Sequence, residues 1–221
     1  MRYKSVEEFR SKNNNKDFTL ISRDCVGGAL YHQLGLRFLS PTINLFMSPE
    51  DFNIFCLNLR EYIFGELKEF KDAKVNYPVG MLYPRKESGL MNPVRIDFMH
   101  YSSFENAKEK WDERSKRINW DNIYVLSTIT YKREIESISD NLIKNWNNIS
   151  YKKVMLVNKR YGFNGEFVVN KPEKTEEYAW LLAKSEEGWG QEFNQFDFIK
   201  FLHKRMSLKE LMKKLLSKKG S

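Results

Sequence analysis

Cys25 and His100 are the two residues whose types and predicted positions suit nucleophilic catalysis. Cys25 follows a short apolar run, Phe18–Ile21, and precedes the pair Gly27 and Gly28. This order predicts a buried strand, a tight turn and a helix that begins near the cysteine. Free backbone N–H groups and the dipole at a helix start favour an anion, so the thiol is expected to have a lowered pKa and to act as a nucleophile.

His100 stands near the end of a second predicted strand, 94–101, whose apolar residues alternate with polar ones. If this strand runs parallel to the cysteine strand and beside it, both side chains lie at the carboxyl edge of the sheet, where open α/β sheets bind ligands. His100 would then be the general base. The amides of Gly27 and Gly28 would form a cradle for an oxyanion or a phosphate.

Each of these residues also has a structural explanation. A cysteine beside a glycine pair is often a small buried residue that fills the contact between a helix and a sheet. Asp24 would raise the pKa of the thiol, whereas Arg23 would lower it, and Asp24 would alternatively cap the helix. His100 would alternatively hydrogen-bond the turn that follows its strand.

Arg114 is a charged residue on the otherwise apolar stripe of a predicted helix that ends near Arg117. Burial of an unpaired guanidinium is costly, so Arg114 should pair with a carboxylate such as Asp97 or hold an anionic group of a ligand. Asp97 would pair equally well with Arg95. Regular pleating sends Asp97 and His100 to opposite faces of their strand, so Asp97 is not expected to orient the imidazole.

The elements that position these residues alternate between strands and helices. Further strands are predicted near 43–46, 122–128, 154–157 and 165–169, and helices near 48–63, 102–117, 133–146 and 173–184. This alternation predicts an α/β layered fold, with a mostly parallel or mixed sheet flanked by helices. We expect a single domain over 1–221, since no boundary or repeat is evident.

Composition narrows the classes of function. The chain has 221 residues, two cysteines and a formal net charge of +8. Cys25 and Cys56 do not form a disulfide framework, and Cys56 is expected to pack in the core. No cysteine–histidine cluster has zinc spacing, and no glycine fingerprint for a dinucleotide or a Walker site is present, so no metal site is predicted. Nucleic-acid binding is not expected, because the aromatic residues follow core periodicity.

Much of the positive charge lies near the C-terminus, where a basic amphipathic helix is predicted over about 207–219. Such a helix would dock on the core or touch an anionic membrane or a membrane-bound enzyme. No stretch approaches the roughly 20 apolar residues of a membrane span. With no apolar leader at the N-terminus, we expect a cytoplasmic protein that is peripheral to the inner face of the membrane if the last helix binds it.

Several segments together resemble a family of bacterial exopolysaccharide or capsular polysaccharide biosynthesis proteins whose domain has no established activity. The resemblance covers most of the chain to about residue 160. The segments that carry it are Ser22–Leu36, Ser40–Thr42, Tyr77–Gly80, Asp97, His100–Tyr101, Ala107, Trp111, Arg114, Arg117–Asn119 and Asp121–Asn122. The resemblance implies a cytoplasmic α/β protein that works alongside enzymes of glycan assembly.

Residues and resemblance together give three functional hypotheses. The first is a transferase that moves an acyl or acetyl group to a surface-polysaccharide precursor, with Cys25, His100 and Asp97 as candidate catalytic residues. In that hypothesis Gly27, Gly28, Tyr101, Arg114 and Arg117 bind the substrate and the anionic group of coenzyme A or of a nucleotide sugar. The second is a glycosyltransferase-like enzyme in which Asp97 binds a nucleotide sugar, although no Asp-x-Asp pair is present. The third is a non-catalytic binding or scaffold protein of the assembly machinery.

Overall fold

Apolar strands and amphipathic helices alternate along most of the chain. The computed structural model describes residue 3 and residues 5–90, 92–169 and 195–203. The helices are α1 (Val6–Lys12), α2 (Val26–Leu34), α3 (Pro49–Leu57), α4 (Leu59–Ile63), α5 (Phe104–Ser115), α6 (Lys132–Glu136), α7 (Asp140–Asn148) and α8 (Phe198–Leu202). The strands are β1 (Thr19–Ser22), β2 (Glu66–Glu69), β3 (Val79–Tyr83), β4 (Val94–Asp97), β5 (Ile123–Ile129), β6 (Lys152–Val157) and β7 (Glu166–Val168).

A four-stranded sheet in the order β1-β5-β6-β7 forms the centre of the fold, and each pair in it is parallel. Its inner strand β5 is buried at every position, as expected for a parallel strand that is covered on both faces. Val125 and Ile129 of β5 pack with α3, α5 and α7, whereas Tyr124 and Leu126 pack with α1, α2 and α8. The predicted α/β fold with helices around a largely parallel sheet is confirmed.

A second sheet, of order β2-β3-β4, is antiparallel. Two backbone hydrogen bonds between Phe46 and Asp97, each 2.9 Å long, join the segment after α2 to β4. The condition that would bring His100 to Cys25, two neighbouring parallel strands, is therefore not met, since β4 pairs with β3 in the other sheet. Alternation predicts a strand over 94–101, but β4 ends at Asp97, and the pattern does not specify the pairing partner.

Helix starts follow the predicted chemistry closely. The Ser48 side chain caps α3 by accepting from the Asp51 amide at 3.0 Å, and Pro49 takes the first helical position. The pattern of Ser102 followed by Glu105 predicts a cap at Ser102, but the cap of α5 is Ser103, whose hydroxyl accepts from the Asn106 amide. Cys56 is buried, so its predicted packing role is confirmed.

Two predicted elements lie outside the described residues. These are the helix near 173–184 and the basic helix over about 207–219. Among the described residues, no helix combines the length and apolar character needed to cross a bilayer.

Candidate functional site

The carboxyl edge of the parallel sheet carries a buried ionic cluster. Arg23, the first residue after β1, has a side chain with no exposed surface, yet it is charged. Its Nη1 donates to Glu134 Oε1 at 2.8 Å and to the Met47 carbonyl at 3.2 Å, and its Nη2 donates to Glu134 Oε2 at 3.3 Å. Glu134 lies on α6, directly beyond β5. The ion pair therefore ties together the ends of two neighbouring strands.

Asp24 adds a second carboxylate to this cluster. Its Oδ1 accepts from the Val26 amide at 3.1 Å, which stabilises the start of α2, and its Oδ2 accepts from the Thr128 hydroxyl. Arg23 Nη2 lies 3.6 Å from Asp24 Oδ2. One guanidinium thus faces two buried carboxylates. Burial raises the pKa of Glu134. The charge and hydrogen bonds of Arg23 oppose this increase, whereas the charge of Asp24 adds to it.

A pocket of about 440 Å³ opens beside this cluster. Its walls combine acidic, basic and aromatic side chains, as is typical of sites for small polar ligands. The lining residues are Phe46, Ser48, Pro49, Glu50, Tyr77, Asp97, Met99, Tyr131, Arg133, Glu134 and Ser137. The Arg23 guanidinium is stacked on the Phe46 ring, 4.8 Å from its centre, so the buried cluster supports two walls of the pocket.

Asp97, a second acidic lining residue, is held by a small ionic network. Arg95 Nε donates to Asp97 Oδ1 at 2.9 Å, and Arg95 Nη1 donates to Asp72 at 2.6 Å. The predicted pairing of Asp97 with Arg95 is confirmed, and Arg114 is not its partner. Burial and the negative charge of Asp97 raise the pKa of Tyr77, whose hydroxyl shares this region of the pocket.

Cys25 stands at the N-cap position of α2, as predicted, but its thiol is not activated. Burial raises the pKa of the Cys25 thiol to about 12, and the Asp24 carboxylate contributes to the increase. The expectation of a lowered pKa is therefore wrong. Its physical reason is that loss of hydration and an adjacent negative charge outweigh the dipole of a nine-residue helix.

His100 is exposed on the turn after β4. The shared edge that would bring its imidazole to Cys25 requires neighbouring parallel strands, and β4 does not belong to the parallel sheet. Burial raises the pKa of the neighbouring Tyr101, and the charge and hydrogen bond of Arg114 oppose that increase. A catalytic role for Cys25 and His100 stays a prediction.

The two glycines of α2 serve close packing. A Cβ atom on Gly27 would lie 2.4 Å from Ser22 Cβ, and one on Gly28 would lie 2.9 Å from Asn44 Oδ1. The Gly27 amide donates to Ser22 Oγ at 3.2 Å, so this amide already has a partner within the chain. Asn44 has a positive φ of 59°, a conformation that asparagine tolerates better than most residues. The glycines therefore seat α2 between β1 and the segment that leads to the pocket.

Three other predicted binding residues do come together. Arg114 Nη1 donates to the Tyr101 hydroxyl at 2.7 Å, and its guanidinium lies over the Phe38 ring at 5.2 Å. Arg117 Nη1 donates to the Phe38 carbonyl at 3.4 Å. Arg114 and Arg117 thus meet at Phe38, Tyr101 binds Arg114, and none of the three is a lining residue of the pocket.

The described part of the chain holds no group of three or more histidine, cysteine, aspartate or glutamate side chains that could bind a metal ion. Two of the acidic residues that line the pocket are paired with arginine, Asp97 with Arg95 and Glu134 with Arg23. Its chemistry is that of hydrogen bonding and ion pairing.

Comparison with known proteins assigns a family. Residues 1–203 match the family described as "Domain of unknown function (DUF1919)". The chain belongs to this family. A relative, an uncharacterized protein of Haemophilus influenzae, is 30% identical over 196 residues, which cover 87% of each chain. Neither description mentions exopolysaccharide or capsule, so the finer part of the resemblance stays a proposal.

Sequence analysis finds only part of the pocket in this DUF1919 chain. Asp97 is a predicted site residue and Tyr77 belongs to a segment that carries the resemblance. Glu134 and Arg133 are not singled out, and Arg23 is considered only for its effect on the thiol. Arg23 and Glu134 are 111 positions apart, so no local spacing links them. The one available signal was a charged pair, Arg23 and Asp24, directly after a core strand.

Proposed function

We propose that the pocket at the carboxyl edge binds a carbohydrate-containing substrate, and that the protein is a transferase acting on a glycan precursor. The observation that carries the proposal is the convergence of Asp97, Glu134, Arg133 and Tyr77 on one cavity. A nucleotide sugar is the donor class that this proposal implies. A surface-polysaccharide precursor is the proposed acceptor, in line with the resemblance of the sequence.

The pocket groups suit the parts of such a ligand. Carboxylates are hydrogen-bond acceptors for sugar hydroxyls, and Asp97 is already fixed in place by Arg95. The Tyr77 ring offers a flat apolar face with a polar end. Arg133 is exposed at the pocket and suits a phosphate, because its fork of donors matches two oxygens.

Glu134 is the residue that we assign to proton transfer. It is 5% exposed, lines the pocket and keeps both oxygens on Arg23. A buried carboxyl with a raised pKa at a pocket wall is a common general acid or base. The fixed guanidinium holds the carboxyl in one orientation, which proton transfer to a bound substrate requires.

Acyl transfer through Cys25 makes a different demand on the protein. It needs a thiolate, and a thiol with a pKa of about 12 is almost fully protonated at neutral pH. The pocket route therefore has the stronger support. Coenzyme A as a co-substrate and contact of the basic C-terminal segment with a membrane remain predictions.

Thermal-shift binding tests the proposal directly. The probes are UDP-, GDP-, dTDP- and CMP-linked sugars, each with and without manganese. We expect at least one of these sugars to stabilise the wild-type protein. Asp97→Asn and Glu134→Gln should each lower the apparent affinity for that sugar about tenfold or more.

Glu136→Gln is the matched control, because Glu136 lies on the same helix with a side chain that is 65% exposed. It should bind like the wild type. No stabilisation by any donor, or equal losses in Glu136→Gln and Glu134→Gln, would contradict the proposal.

A further inference from the structure

A cluster of three arginines surrounds Phe38, outside the pocket described above. Arg114 lies over the Phe38 ring, Arg117 donates to the Phe38 carbonyl, and Arg37 precedes Phe38 in the chain. Arg114 and Arg117 are half-buried, and Arg37 is exposed. The face therefore presents guanidinium groups from two separate segments of the chain.

The positive charge of this face is not balanced. Glu113 pairs with Arg117, but Arg37 and Arg114 have no carboxylate within 4.0 Å in the part of the chain that the structure describes. Burial lowers the pKa of Arg117, and the like charge of Arg37 lowers it further. Both arginines adjoin Phe38, since Arg37 precedes it in the chain and Arg117 donates to its carbonyl oxygen. Such a cluster is stabilised when an anion binds.

The Arg114 fork has a fixed orientation. The Tyr101 hydroxyl donates to the Ile43 carbonyl at 2.8 Å, so it meets Arg114 as an acceptor. Arg114 uses one N–H group on this hydroxyl and keeps its other donors for a further partner. Stacking on Phe38 restricts the guanidinium plane, which lowers the entropy lost when a ligand binds.

We propose that Arg37, Arg114 and Arg117 form a binding site for a phosphorylated ligand, with pyrophosphate as its best simple representative. A guanidinium fork matches two oxygens of a phosphate group, and adjacent arginines match the adjacent phosphates of a diphosphate. The site is independent of the pocket, although the segment from Ile43 to Phe46 borders both. The phosphates would come from a soluble nucleotide or from a lipid headgroup, since the recognition chemistry is the same.

Isothermal titration of the full chain with inorganic pyrophosphate tests this site. We expect Arg114→Gln to weaken binding about tenfold or more, because it removes a charge-assisted pair. We expect Arg37→Gln to weaken it by about threefold, since an exposed charge is screened by solvent. Lys116→Gln is the matched control, because it removes one exposed charge at the end of α5, the helix that carries Arg114. It should change pyrophosphate binding less than Arg37→Gln does.

A second arm adds sedimentation with phosphatidylcholine vesicles that contain phosphatidic acid, which separates a lipid source from a soluble one. Arginine-dependent binding to either probe supports the site. No binding of either probe by the wild type, or equal losses in Lys116→Gln, Arg37→Gln and Arg114→Gln, would overturn it. If Arg114→Gln does not fold, the comparison of Arg37→Gln with Lys116→Gln decides. Asp97→Asn should leave pyrophosphate binding unchanged, so the two sites fail or succeed separately.

Discussion

Replacement of Arg23 by methionine should destabilise the protein severely. Arg23 is the counter-charge for Glu134 and lies 3.6 Å from Asp24, and none of the three side chains has more than 5% exposure. Methionine fills a similar volume but leaves two carboxylates in a low-dielectric interior without their cation. The native state must then either bury the charges or take up a proton.

The size of the effect follows from this burial. Removal of one partner from a buried pair costs about 3–5 kcal/mol, and the lost stacking on Phe46 adds to it. One compensating gain is that Arg23 Nε, which has no hydrogen-bond partner among the described residues, disappears. We therefore expect a loss of about 3 kcal/mol or more in the free energy of unfolding, measured by urea titration at neutral pH. Arg160→Met removes a side chain that is 78% exposed and should cost less than about 1 kcal/mol.

The loss should also depend on pH with a defined sign. Without Arg23, the pKa of folded Glu134 rises further above that of the unfolded chain, because desolvation is then unopposed. The variant therefore suffers no penalty from Glu134 below the pKa of the unfolded glutamate, about 4.3. It loses stability as the pH rises from there through the pKa of folded Glu134. The gap in stability between wild type and variant should therefore widen as the pH rises above the unfolded pKa.

A compensating variant separates charge from packing. Arg23→Met combined with Glu134→Leu replaces the closer ion pair by apolar groups and should recover part of the lost stability, while Asp24 still lacks its cation. A loss below about 1 kcal/mol in Arg23→Met, or no recovery in the double variant, would refute the view that the carboxyl edge is built around a buried ion pair.

The other predictions concern α2. Cys25 should react with iodoacetamide at neutral pH at least about a hundredfold more slowly than an unfolded thiol. The reason is that a rise in thiol pKa from 9.0 to about 12 lowers the thiolate fraction about a thousandfold. A rate equal to that of the urea-unfolded chain would contradict the raised pKa of this thiol. Gly27→Ala should lower the free energy of unfolding in urea by about 1–3 kcal/mol, because the new Cβ would lie 2.4 Å from Ser22 Cβ. Gly162→Ala is the control, since Gly162 is exposed, has a φ of 99° and has open space around it. It should show only the smaller cost of backbone strain. Equal effects at the two glycines would argue against tight packing of α2 on β1.

Sequence reasoning predicted the elements of the fold better than their partners. The apolar run in β5 and the Ser48-Pro49 helix start have local causes, and both are confirmed. The strand predicted over 94–101 is confirmed only for Val94–Asp97. Its pairing depends on contacts between distant segments, which alternation does not encode. The ion pair beside the pocket was missed for the same reason, since Arg23 and Glu134 meet only after the chain folds.

The thiol of Cys25 illustrates a further limit. Its position at the start of a helix is readable from the sequence and favours ionisation. Its degree of burial is not readable, and burial proves to be the larger effect on its pKa. The reactivity of a thiol that depends on both the helix dipole and desolvation can therefore be predicted only from the folded structure.

Saturation-transfer NMR with the panel of nucleotide sugars tests the central claim most directly, in the wild type and in Tyr77→Ala and Cys25→Ala. If the pocket at the carboxyl edge binds the sugar, saturation should reach the protons of at least one sugar ring, persist in Cys25→Ala and disappear in a folded Tyr77→Ala. The opposite pattern, a signal that survives in Tyr77→Ala and is lost in Cys25→Ala, would contradict the account and return the site to the cysteine.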